Sequence, residues 1–196
     1  MKLIFKGAYD GKEESLPHGE LYPGSILLDD EADNSAKILN ILNVLGLVIC
    51  GIFLFVFSMI AGISNFDFNA VILGFLTLVP HELLYAACFK NEVYMYYWLE
   101  KFCMFVIGLE PMSKSRFIFM SLLPNIVFGF LPFILFLLKP DLTFWGSLSV
   151  VTIGMGVGDY YNVVNAIRRV PKGAKIYSHK FNTYWFIPEN IKTEET

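Results

Sequence analysis

Four long apolar blocks restrict the fold of this chain more than any other feature. The blocks are Ile38–Ile63, Ala70–Phe89, Phe117–Leu138 and Thr143–Ile167. The first and third carry no charge, and only 17% of the whole chain is charged, where a soluble domain carries about 25%. An apolar run of about 20 residues is long enough to cross a bilayer as a helix. The sequence therefore predicts an all-α integral membrane protein with four transmembrane helices, spanning about 38–63, 70–89, 117–138 and 143–167.

The basic residues predict how such helices are oriented in the membrane. Nearly all of them precede the first block, lie between the second and third blocks, or follow the fourth. The two remaining connections, 64–69 and 139–142, hold only Lys139. Lys and Arg accumulate on the cytoplasmic side of membrane proteins. We therefore predict a multi-pass protein of the cell membrane with both termini in the cytoplasm, the lipid bilayer as its partner and no nucleic-acid partner.

The segments outside the blocks predict little regular structure. Residues 1–36 form an acidic cytoplasmic lead-in, which Pro17 and Pro23 keep from being helical. Residues 92–108 hold two short runs rich in aromatic and β-branched side chains, which favour a small cytoplasmic β-hairpin over an interfacial helix. The rest of the predicted organisation is a short C-terminal strand within 175–187, a membrane domain over 37–188 and a tail over 189–196.

Polar residues within the blocks are predicted to lie at one depth. His81 and Asp159 each stand eight residues before the cytoplasmic end of a predicted helix, which is roughly 12 Å along the axis. Asn125 stands eight residues after the start of the third block, next to Pro124. Ionisable residues within a membrane are costly and usually face a bundle interior or cavity. We therefore expect one shared polar cluster, with Glu82 beside it.

His81 and Glu82 also begin a pattern that is typical of zinc peptidases. In the pattern His-Glu-x-x-His, two His residues one helical turn apart bind zinc, and the Glu is the general base. Zinc in catalytic sites takes three protein ligands, including His nitrogen and carboxylate oxygen. His81 and Asp159 are therefore candidate zinc ligands and Glu82 a candidate catalytic base, but the position of the second His is occupied by Tyr85.

The chain resembles the putative zincin peptidase family, small multi-pass bacterial membrane proteins with a His-Glu-x-x-His motif and a core similar to that of site-2 proteases. The resemblance covers about residues 70–188. It rests on the segments His81–Ala86, Glu110–Lys114, Ser121–Asn125, Gly154–Asn162 and Pro171–Ala174. It implies zinc-dependent peptide hydrolysis within or beside the membrane, with His81 and Asp159 as ligands and Glu82 as base.

Tyr85 is the point at which the chain departs from the family pattern. A free phenol has a pKa near 10 and must lose its proton to bind zinc well, whereas neutral imidazole is a good ligand. Three explanations are open: a pseudoprotease that binds peptides or membrane-protein partners, weak metal binding by a rearranged set that includes Tyr160, Tyr161 or Asn125, or activity with water or Tyr85 in the vacant place. A different class of function is a non-enzymatic membrane protein that uses the polar cluster for partner binding or transport.

Overall fold

The computed structural model describes residues 1–29, 35–101 and 103–188, with the side chains of 35, 36 and 101 excepted. Helix accounts for 58% of the structure and strand for 19%, in two sheets. The prediction of an all-α protein is therefore wrong. Part of the predicted acidic lead-in (Asp30, Glu31 and Asp33) and the predicted tail over 189–196 lie outside the described residues.

Tertiary contacts divide the chain into two compact units. The helical unit takes the described parts of 31–81 and 121–161, and the sheet unit takes those of 1–30, 82–120 and 162–196. The helices are α1 (Ser35–Ala61), α2 (Phe68–Leu76), α3 (Leu78–Ala87), α4 (Lys114–Asn125), α5 (Leu131–Leu138), α6 (Thr143–Met155) and α7 (Val157–Arg169), with a π-helical turn at Ile126–Phe130. Short 3-10 turns occur at Glu13–Ser15, Ile63–Asn65 and Leu99–Lys101.

Three helical stretches among the described residues are long and apolar enough to cross a membrane. They are Lys37–Ala61, Phe68–Ala87 and Lys114–Leu138, which agree with the first three predicted spans. The fourth predicted span, 143–167, is wrong because the apolar helix there is too short to be a candidate span and the helix that follows it is polar. Apolar α6 has 13 residues, about 20 Å of helix, and α7 carries Asp159, two Asn and two Arg in its own 13. Gly156 separates the two helices with φ −72° and ψ 3°.

Proline residues explain where the other long helices are interrupted. Pro80 has no N–H for the carbonyl of Leu76, four residues earlier, and α2 ends at Leu76. Pro132 likewise has no N–H for the carbonyl of Phe128, which lies in the π-helical turn. That carbonyl accepts a hydrogen bond from the Thr152 hydroxyl at 2.7 Å. A neighbouring helix thus satisfies the polar group that a proline leaves free, as membrane proteins require.

The helical unit packs around α6, which contacts α1, α2 and α5. Its apolar core consists of Phe57, Phe133, Phe136, Val150 and Ile153. Small residues allow close approach: a Cβ added at Gly154 would overlap the Cys50 sulfur and lie 2.9 Å from the Gly46 carbonyl.

The sheet unit holds a three-stranded sheet in the order β1-β3-β4. Its strands are β1 (Lys2–Ala8), β3 (Glu92–Trp98) and β4 (Cys103–Gly108). β3 and β4 are antiparallel, which confirms the hairpin predicted for 92–108. β1 runs parallel to β3, pairing Lys2 with Glu92, so the prediction of an irregular lead-in is wrong for this segment.

The second sheet has four strands in the order β2-β7-β6-β5. The strands are β2 (Ile26–Leu27), β5 (Met112–Ser113), β6 (Lys175–His179) and β7 (Asn182–Phe186). The single C-terminal strand predicted within 175–187 is therefore a hairpin, whose turn holds Lys180 at φ 56°. β2 and β5 have two residues each, too few for any periodicity in the sequence to indicate them.

Glu110 joins three segments of the sheet unit. Its carboxylate accepts hydrogen bonds from the backbone N–H groups of Lys90 (2.9 Å) and Asn91 (2.7 Å) and pairs with Arg116 at 2.5 Å. Arg116 also donates to the carbonyl of Cys88. Burial alone would raise the pKa of Glu110, but these hydrogen bonds and the Arg116 charge lower it from its usual value.

Replacing Glu110 with Gln should lower the free energy of unfolding by about 2 kcal/mol at pH 7, because a buried charge-assisted hydrogen-bond set is lost. Since the pKa is lowered in the folded state, the carboxylate stabilises the protein fully above its unfolded pKa of about 4.3 and loses that effect as pH falls through the folded pKa. Unfolding in detergent across pH 2–7 measures both the loss of unfolding free energy and its dependence on pH. Glu92→Gln, which removes an exposed partner of Lys2, is the matched control and should change little. Equal losses in the two variants would contradict the role assigned to Glu110.

Candidate metal centre

His81 stands in the first turns of α3, directly after Pro80. Its backbone N–H donates to the carbonyl of Thr77 at 2.8 Å, and Thr77 is the residue that separates α2 from α3. The side chain is 21% exposed. The proline-induced interruption of the helix thus sets the position from which the imidazole extends.

Asp159 lies in the first turn of α7, opposite His81. Its Oδ2 is 3.5 Å from His81 Nε2, and its side chain is 16% exposed. The first turn of a helix is a favourable place for a carboxylate, because unpaired N–H groups give that end a partial positive charge. The break at Gly156 provides this helix start.

Asn125 at the end of α4 completes the group. It is only 3% exposed, and its Nδ2 donates to Asp159 Oδ2 at 2.6 Å and to the Ser121 carbonyl at 3.2 Å. A Cβ added at Gly156 would overlap Asn125 Oδ1. Three helices therefore bring His81, Asn125 and Asp159 together within the helical unit, as expected of a shared polar cluster.

Glu82 and Tyr85 follow His81 on α3, Glu82 as the next residue and Tyr85 one turn further on. Tyr85 packs against the apolar core of the sheet unit, which includes Ala86, Phe89, Met120 and Ala166. Tyr85 therefore has a packing role that its sequence position did not indicate. The catalytic role of Glu82 and the ligand role of Tyr85 stay predictions.

The pair His81 and Asp159 fits two positions of a zinc site. Two ligand atoms each about 2.0–2.1 Å from a tetrahedral zinc are roughly 3.4 Å apart, close to the 3.5 Å between Nε2 and Oδ2. No group of three or more His, Cys, Asp or Glu residues placed to hold a metal occurs among the described residues. The ligand set is thus one short of the three protein ligands that a catalytic zinc takes, and as it stands it does not fit such a zinc.

Two buried hydroxyls near this cluster have no hydrogen-bond partner within the described part of the chain. They are Ser121 Oγ and Tyr160 Oη. Tyr160 was a candidate from the sequence, whereas Ser121 was not. Its signal is its place four residues before Asn125, on the same face of α4.

The remaining His residues lie elsewhere, in the sheet unit. The rings of His18 and His179 are 5.6 Å apart between centroids. This pair can bind added zinc adventitiously, so it must be removed before zinc binding at His81 is measured. No disulfide bond joins Cys50, Cys88 and Cys103 in the part of the chain that the structure describes.

Two features of the described residues are compatible with a membrane protein of a zincin-like class. They are the three apolar helices and the pair His81 and Asp159 at zinc-ligand spacing, with buried Asn125 beside Asp159. The family model described as "Putative zincin peptidase" matches residues 74–175, more than half of the chain. The chain belongs to this family. Membership supports a peptidase-like kind of function and suggests zinc as the metal. No curated protein and no solved structure gives a significant match.

Proposed function

We propose that this chain is a membrane-embedded pseudoprotease: it keeps the scaffold of a zinc peptidase and binds peptides or membrane-protein segments without cutting them. The observation that carries the proposal is the incomplete ligand set. His81 and Asp159 have the spacing of two zinc ligands, and the third position of the family pattern is Tyr85.

In a complete site of this kind, bound zinc polarises the scissile carbonyl and lowers the pKa of water. The residues of this chain fit peptide binding without that metal chemistry. Asn125 holds the Asp159 carboxylate through the 2.6 Å hydrogen bond, and Glu82 is the residue that follows His81 along α3. Such a cluster offers acceptors to the backbone N–H groups of an extended peptide, whose polar groups need partners within a membrane.

Strand pairing supports placing both ends of the described chain on the same side of the membrane. β1 pairs with β3, and β2 pairs with β7. Hydrogen-bonded sheets of this kind are not divided by a bilayer. The basic residues that precede α1 and follow α7 support the cytoplasmic side. Cysteines introduced at Ser15 and Ser178 should both stay unlabelled by an impermeant maleimide in intact cells, and labelling of either would overturn this orientation.

The proposal is tested by a zinc titration and a peptide assay on the detergent-purified chain. The chain carries His18→Ala and His179→Ala, so that only His81 remains as an imidazole ligand. We expect well under one zinc per chain at micromolar zinc and no hydrolysis of membrane-segment peptides, with saturable peptide binding. Stoichiometric zinc together with hydrolysis that Glu82→Gln abolishes would instead make this copy an active peptidase.

A further inference from the structure

The sheet unit contains an open cavity of about 620 Å³ that the candidate metal centre does not use. One wall is formed by Ser113 at the end of β5 and by Lys114 and Ser115 at the start of α4. The other is formed by Lys172 in the turn after α7 and by Lys175 at the start of β6. A volume of this size accommodates a small-molecule ligand or a lipid headgroup.

The charged side chains that line the cavity are all positive. Three lysines line it, and none of the described side chains around it is acidic. Lys114 is held in place because its ammonium donates to the carbonyls of Ile167 at 3.0 Å and Val170 at 2.7 Å. These carbonyls orient Lys114, and its ammonium together with those of Lys172 and Lys175 gives the cavity a positive charge that attracts an anion.

The hydroxyl groups suit a phosphate in particular. Ser113 Oγ and Ser115 Oγ are 3.3 Å apart at the rim of the helix start. Together with the ammonium groups they can donate several hydrogen bonds to the oxygens of one phosphate.

The position of the cavity along the chain indicates where that phosphate comes from. Lys114 is the first residue of the stretch Lys114–Leu138, which is long and apolar enough to cross a membrane. The first residue of such a helix lies at the level of the lipid headgroups, where basic pockets bind anionic lipids. We propose that this cavity binds the phosphate headgroup of an anionic phospholipid.

The test compares lipid binding by the full chain and its variants in neutral detergent, with phosphatidylglycerol, phosphatidylcholine and inorganic phosphate as separate probes. We expect a preference for phosphatidylglycerol that weakens about fivefold in Lys172→Gln and about 25-fold in Lys172→Gln/Lys175→Gln. Lys172 is exposed in a turn, so the single variant should fold even where the double variant does not.

Lys12→Gln/Lys90→Gln is the matched control, because it removes the same charge at exposed lysines that do not line the cavity. It should leave lipid binding unchanged. An equal loss in control and cavity variants, or no loss in either, would overturn the site. Inorganic phosphate that binds as tightly as phosphatidylglycerol, with the same sensitivity to Lys172→Gln, would assign the cavity to soluble phosphate compounds and overturn the lipid assignment.

Discussion

Replacing Tyr85 with His should raise the zinc affinity of this chain by about 100-fold or more. Residues 81 and 85 are four apart on α3, where their Cβ atoms lie about 5–6 Å apart on one face of the helix. A His at that position adds a third ligand to His81 and Asp159, whose ligand atoms already have the spacing of two zinc ligands. Changes to groups that merely orient a ligand cost 10–100-fold in metal affinity, so gaining a whole ligand should matter at least as much.

The measurement is competition with a chromophoric chelator, in the background that carries His18→Ala and His179→Ala. Tyr85→Phe is the matched control, because it keeps a ring against the apolar core of the sheet unit but removes the hydroxyl. It should bind zinc as weakly as the parent, which would exclude the phenol as a ligand. If Tyr85→His binds no more tightly than Tyr85→Phe, the zincin interpretation of this cluster fails.

A further substitution tests whether Asp159 is one of the zinc ligands. Adding Asp159→Ala to Tyr85→His should return the zinc affinity close to that of the parent, because two imidazoles remain where three ligands are needed. Unchanged affinity would remove Asp159 from the ligand set. This outcome would assign Asp159 only the hydrogen bond with Asn125 and would remove the support that its spacing from His81 gives to the proposed pseudoprotease function.

Replacing Gly156 with Ala should destabilise the protein by about 3 kcal/mol. The added Cβ would overlap Asn125 Oδ1, and it would lie 2.6 Å from Asn125 Cγ and 3.0 Å from Tyr160 Oη. The carboxamide must move, which breaks its 2.6 Å hydrogen bond to Asp159. Overpacking costs about 1–3 kcal/mol, and a buried polar group left without its partner adds about 1–3 kcal/mol.

Gly158→Ala is the matched control, because a Cβ there meets no atom within 4 Å. Gly158 lies inside α7, where alanine favours helix, so this variant should be neutral or slightly more stable. Unfolding by denaturant in detergent measures both variants. In the double variant Gly156→Ala/Asn125→Ala the overlap is gone, and the free energy of unfolding should match that of Asn125→Ala alone. A double variant that is clearly weaker would show that Gly156 matters for another reason.

The meeting of His81, Asn125 and Asp159 was expected from the sequence, and the structure brings the three side chains together. The depth assigned to Asp159 assumed one helix over 143–167, however, and the structure has two there. The sequence did not indicate how they are held. The hydrogen bond from Asn125, the space at Gly156 and the packing of Tyr85 depend on neighbours that are remote in the chain.

Two of the wrong predictions about the fold have a similar cause. The segment Thr143–Ile167 looked like one span because its average composition is apolar, whereas Gly156 divides it into apolar α6 and polar α7. Residues 2–8 looked irregular because a parallel strand pair depends on a partner about 90 residues away. No local pattern can report such pairing.

The sequence by itself determined three of the four predicted membrane-length apolar helices, the hairpin over 92–108 and the family. These features depend on local composition and backbone chemistry, which are the same wherever the segment packs. Only the tertiary structure decided that the terminal segments join two sheets and that the polar cluster has two ligand-type side chains at zinc spacing. These outcomes depend on which distant segments meet, and hydrogen bonds and packing across the fold determine that.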